Sequence, residues 1–151
     1  MRGPAAALLL LANPVFAGGF EPGSYEVTYR LEVPHVERFA TNRTARICVT
    51  EHRQSLPVLS SNNPLARCPA RNIRLDAAAL TFEILCPGRP YERSEARAQF
   101  KLSDGAFEGR IHMIMGGKNM TFVEVQRGRR IGNCGTGQSE GQAALRGLPS
   151  H

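Results

Sequence analysis

The chain has 151 residues, 19 Lys and Arg against 13 Asp and Glu, four cysteines and no tryptophan. That length suits one domain. No apolar run approaches the ~20 residues that a helix needs to cross a bilayer, which excludes a helical integral membrane protein. The net charge of +6 directs attention to anionic partners, although no aromatics interleave with the basic residues as stacking on nucleic acid requires.

Residues 1–17 read as a signal peptide, with Arg2, an apolar run over 5–12, and Val15-Phe16-Ala17 as a small-residue cleavage site. The mature protein is expected to begin near Gly18 in the periplasm, without a lipid-anchoring cysteine. Residues 20–23 form a turn. Residues 24–33 then alternate: Tyr25, Val27, Tyr29, Leu31 and Val33 point one way, and Glu26, Thr28, Arg30 and Glu32 the other. Pro34 stops this strand, and 35–42 is a polar connection. Residues 43–50 are a second strand carrying Cys48. Residues 51–67, with Pro57, Ser60-Ser61, Asn62-Asn63 and Pro64, form an irregular and mobile stretch in which Thr50 could cap a short helical turn over 51–56.

Next comes a hairpin, ARNIRL and LTFEIL around a turn at 76–79, flanked by Cys68 and Cys86. Pro87-Gly88-Arg89-Pro90 interrupts regular structure. Residues 95–134 then form a meander of three strands. Asp104-Gly105 and Gly116-Gly117 are expected to make two-residue hairpin turns between them. In the middle strand Phe107, Gly109, Ile111, Met113 and Met115 share a face opposite Glu108, Arg110 and His112. In the last strand Thr121, Val123 and Val125 alternate with Phe122, Glu124 and Gln126. Residues 135–151 are rich in Gly, Ser and Gln and are expected to be a disordered tail.

An even cysteine count in an exported chain reads as two disulfides, with three connectivities open. Hairpin register favours Cys68–Cys86, because positions 68 and 86 sum to nearly the same value as the turn residues. Cys48–Cys134 remains. In the chain-entropy model its loop of about 87 residues contributes on the order of 4 kcal/mol, against roughly 3 for the shorter loop. The count of about seven or eight short strands predicts an all-β domain over 18–134. It is expected to be an antiparallel meander forming a strongly curved sheet or small barrel.

The run Glu21-Pro22-Gly23-Ser24-Tyr25-Glu26-Val27, then Arg46-Ile47-Cys48-Val49-Thr50, a central cysteine pair and a closing Arg129-Arg130-Ile131-Gly132-Asn133-Cys134 together resemble the bacterial domain of unknown function 3617 family. The similarity covers residues 20–134. It implies a small exported β-rich domain of Gram-negative bacteria and transfers no catalytic residue; Tyr25 stands where a tryptophan is common.

Three constellations invite chemistry. Gly137-Gln138-Ser139-Glu140-Gly141 spells a nucleophile elbow, but it lies in the tail without the strand, turn and helix that expose such a serine. His112, Met113, Met115 and Met120 flank one hairpin turn and are a weak Cu(I) ligand set. Strand alternation places Met113 and Met115 opposite His112, so they read as core filler. Lys118, Arg127, Arg129 and Arg130 gather near one end of the meander and are a candidate contact for an anionic surface, whether lipid headgroup, lipopolysaccharide or acidic partner. Glu83, Glu108 and Glu124 are expected to face solvent, and the sequons at Asn42 and Asn119 read as coincidence. The expectation is a non-enzymatic periplasmic β-domain without cofactor, metal or nucleic acid. It would bind a small apolar ligand within the sheet or an envelope partner, or serve as an accessory subunit of an envelope complex.

Overall fold

A computed structural model describes residues 20–51, 55–60, 63–89, 92–117 and 120–135. The leader, Lys118, the Gly137–Gly141 motif and the tail beyond 135 lie outside them. Seven antiparallel strands form one sheet: β1 (Gly23–Glu32), β2 (Arg43–Val49), β3 (Ala70–Leu75), β4 (Ala79–Leu85), β5 (Glu95–Ser103), β6 (Ala106–Met115) and β7 (Met120–Gly132). Their spatial order is β2-β1-β7-β6-β5-β4-β3. The meander runs from β3 to β7, after which the first strand closes onto the last and carries β2 beside it.

The sheet does not close into a barrel, because β2 and β3 are both edges. At β3 the ladder with β4 shifts register between Arg71 and Arg74, and Asn72 within it takes a left-handed φ of 52°. Its residues 71–74 are exposed. An irregular, basic, short edge strand leaves little to pair with.

The two hairpin turns of the meander differ. Ser103 pairs with Ala106, so Asp104-Gly105 is the expected two-residue loop, with Gly105 at φ 62°. Met115 pairs with Met120, so the second loop spans 116–119 and is longer than expected. Of its two glycines only Gly117 has a left-handed φ, at 82°. Gly116 is needed for a different reason: a Cβ there would meet the backbone of Glu92 and Arg93.

One face of the sheet holds the core. Tyr25, Val27 and Tyr29 from β1 join Ile47 and Val49, Leu80, Phe82 and Ile84, Ala96, Ala98 and Phe100, and Phe107, Ile111 and Met113. Rings form a chain across it. Phe20 lies 5.7 Å from Tyr25, Tyr25 5.8 Å from Phe107, Phe107 5.7 Å from Phe100, and Phe100 6.2 Å from Phe82. Two glycines make room for them. A Cβ on Gly128 would strike the Phe107 ring, and one on Gly109 would strike the Gln99 carbonyl and Phe100.

The irregular stretch after β2 covers this face. Leu56, Val58, Leu59 and Leu65 are buried with the core, so its described parts are a strap held by apolar burial rather than a free loop. Asn63 caps the short 3-10 turn Pro64–Arg67 by accepting from the Leu65 amide. Both expected disulfides form: Cys68–Cys86 with Cα atoms 5.1 Å apart and Cys48–Cys134 at 5.5 Å. No helix among the described residues is long and apolar enough to cross a membrane.

Candidate functional site

β7 carries a surprise on the core face. Its pairing with β6 sets Phe122 opposite Met113, Glu124 opposite Ile111 and Gln126 opposite Gly109. Glu124 and Gln126 are therefore inward and fully buried, which corrects the expectation that Glu124 faces solvent. The β-branched set Thr121, Val123 and Val125 points outward instead. Either set of the alternation could have been buried, and the partner strand decided it.

The buried carboxylate fastens the strap. The Leu59 and Ser60 amides each donate to a different oxygen of Glu124 at 2.8 Å. Gln126 Nε2 donates to Glu124 Oε1 at 2.6 Å and to the Pro57 carbonyl at 2.8 Å, while Gln126 Oε1 has no partner. Among the described residues no cation pairs with it, and the carboxylate is satisfied by oriented N–H groups. This is how a charge survives burial.

Among the described residues no such strap lies over the opposite face. A groove of about 530 Å³ opens on it, lined chiefly by Arg30, Lys101, Glu108, Arg110, Val125 and Arg127, with Thr81, Gln99 and His112 at its sides. Register explains the assembly. Arg30 pairs with Val125, Val125 with Arg110, Arg110 with Gln99 and Gln99 with Thr81. The adjoining row is Thr28, Arg127, Glu108, Lys101 and Ala79. Half-buried Val125 is thus the floor between guanidinium groups on β1, β6 and its own strand.

Neutralisation within the groove is partial. Arg30 donates twice to Glu32 Oε1, at 2.8 and 2.6 Å, and Arg127 stands 3.8 Å from Glu108. No carboxylate among the described residues comes within ion-pair distance of Lys101 or Arg110. Beyond the rim, by contrast, Arg71 and Arg97 both approach Glu83, at 3.6 and 4.0 Å.

The basic cluster expected from sequence is divided. Arg127 and Arg129 point outward and are exposed. Arg130 is held at the start of β1, where its Nε donates to the Pro22 carbonyl at 3.0 Å and lies 3.3 Å from Glu21 Oε1, and its second nitrogen reaches Asn133. Arg130 is a clamp on the chain's entry, not part of an open cationic surface. Close by, the Tyr25 hydroxyl donates to the Glu21 carbonyl at 2.8 Å. Its pKa is pushed up, first by burial and then by the Glu21 carboxylate, with Arg130 acting the other way.

His112 is exposed on the outer face, Met113 is buried on the inner one and Met115 is half-buried there, so the imidazole and these thioethers do not converge. Met113 Sδ instead meets Asn63 Nδ2 at 3.0 Å. Met120 is exposed at the start of β7. Among the described residues no three His, Cys, Asp or Glu side chains cluster to hold a metal ion.

Sheet and groove together define a disulfide-stapled all-β domain whose inner face is filled and whose outer face carries a groove. The chain belongs to the DUF3617 family, described as a protein of unknown function, whose model matches residues 20–134. No curated protein and no solved structure matches it.

Proposed function

We propose that this is an exported, periplasmic, non-enzymatic binding domain whose working surface is the outer face of the sheet. The asymmetry between the faces carries the reading. The inner face is filled by its own aromatic and aliphatic side chains and covered by the strap, which removes support from an apolar ligand within the sheet. The outer face offers a groove of about 530 Å³, inside the ~300–1,000 Å³ range of small-ligand sites. Two disulfides favour an oxidising compartment and accord with the leader-like residues 1–17.

A second reading, an accessory subunit of an envelope complex, draws on Val36 and Phe39, which stand 43% and 67% exposed within the β1–β2 connection. Native mass spectrometry of protein released by osmotic shock separates the two. A retained small molecule that is lost on Val125→Trp supports binding at the outer face, whereas a stoichiometric protein partner supports the subunit reading. Protein that stays in the cytoplasm with four free thiols refutes export.

A further inference from the structure

We infer that the outer-face groove is a site for a phosphomonoester carried on a small, hydroxyl-rich group of sugar size; this names the ligand class for the binding surface proposed above. Four cations, Arg30, Lys101, Arg110 and Arg127, line the groove with one carboxylate, Glu108, and a second, Glu32, holds Arg30, which leaves the cations in excess. Like charges gathered in a concavity repel one another and focus a positive potential there, which an anion relieves. The distribution is selective. Basic residues just outside the groove share Glu83, while within it no carboxylate among the described residues comes within 4.0 Å of Lys101, whose cross-strand partner is Glu108, or of Arg110.

The arrangement matches a phosphate rather than a carboxylate or a bare halide. Arg30, Val125 and Arg110 lie in one cross-strand row, and Arg127 follows Val125 by two residues on the same face. Neighbouring strands are ~4.8 Å apart and residues two apart along a strand ~6.7 Å apart. Three guanidinium groups therefore surround a single apolar residue at spacings their long side chains can close. Guanidinium forks bind the oxygens of a phosphate bidentately, and several together match its tetrahedral array. Glu32 already fixes the Arg30 fork with two hydrogen bonds, so its orientation is set before any ligand arrives.

The other side of the groove has a different character. Beyond Arg110 the row continues into Gln99 and Thr81, an amide and a hydroxyl able to donate to and accept from alcohol groups. Val125 and Ala79 offer small apolar contacts. A phosphate at the arginines, with a hydroxyl-bearing body toward Gln99 and Thr81, uses the cations, the amide, the hydroxyl and the small apolar contacts of the groove.

The test is isothermal titration of the oxidised protein with glucose 1-phosphate, inorganic phosphate and glucose, and flotation with vesicles containing phosphatidic acid. Glucose 1-phosphate should bind more tightly than inorganic phosphate, and glucose should not bind. Arg110→Glu or Lys101→Glu should weaken it by roughly ten- to a hundredfold. Arg46→Glu, an equal charge change on exposed β2, should leave it unaltered. Flotation with phosphatidic acid but no binding of glucose 1-phosphate assigns the phosphate to a lipid headgroup and overturns the soluble-ligand assignment. No phosphate-dependent binding at all overturns the inference. The outer-face reading would still stand if a different molecule is retained in native mass spectra and lost on Val125→Trp; both fail if that substitution changes nothing.

Discussion

Replacing Glu124 by Gln isolates the chemistry of the strap's anchor, because the two side chains have nearly the same shape. Three donors reach the carboxylate: the Leu59 and Ser60 amides and Gln126 Nε2. A glutamine can keep its oxygen where Leu59 and Gln126 converge, but its NH2 group then faces the Ser60 amide, donor against donor. One buried N–H loses its acceptor, which costs about 1–3 kcal/mol, and the two retained bonds lose their charge assistance. The strap could avoid this by lifting, yet that would expose Leu56, Val58 and Leu59, buried with the core, at about 1.5–3 kcal/mol each. Lifting is the more expensive route, so the strap stays down and the whole domain is destabilised by about 2–4 kcal/mol. Urea unfolding should show a lower midpoint with an unchanged m-value, and the Leu59 amide, which keeps its acceptor, should remain protected from hydrogen exchange until global unfolding. A change below about 0.5 kcal/mol, or selective loss of protection at the Leu59 amide, would refute the argument.

Other outcomes follow from the same structure. Gly128→Ala places a Cβ against the Phe107 ring and Gly109→Ala places one against the Gln99 carbonyl. Each should cost about 1–3 kcal/mol in urea unfolding, the second more because backbone yields less than a ring. Removing Cys48–Cys134 as a double Ser variant should destabilise by about 4 kcal/mol and removing Cys68–Cys86 by about 3; equal effects, read by the same assay, would count against the loop-entropy account. Since the Tyr25 pKa is raised in the folded state, its stability contribution is whole below pH ~10 and is lost as pH rises through the folded value. Thermal melts of Tyr25→Phe should therefore fall less steeply above pH 10 than those of the parent.

Local features were legible in the sequence and non-local ones were not. The alternation of β1 gave its buried face residue by residue, and the Asp104-Gly105 turn fixed the β5–β6 register that sets Lys101 beside Glu108. Cys68 and Cys86 announced their own hairpin. β7 misled because both of its alternating sets are amphipathic, and only its partner strands reveal that the acid and the amide face inward. The groove escaped for a related reason. Arg30 lies 80 residues and more from Arg110, and nothing local says that the first strand pairs with the last. Barrel closure likewise depended on a meeting of β2 and β3 that strand count cannot foretell, and the irregular edge at Asn72 stands against it.

The nested pattern of the two crosslinks has a consequence for how the molecule matures. Under the export proposed above, a chain threaded through a membrane from its N-terminal end would present Cys48 first, then Cys68, Cys86 and Cys134, yet the first must wait for the fourth. An oxidase acting on thiols as they emerge would join the first two and trap a wrong isomer. In that setting correct maturation would require a disulfide isomerase, or oxidation slow enough for β7 to dock beside β1 before Cys48 is consumed. Yield of native protein should drop in cells lacking such an isomerase and recover when Cys68 and Cys86 are both replaced by Ala.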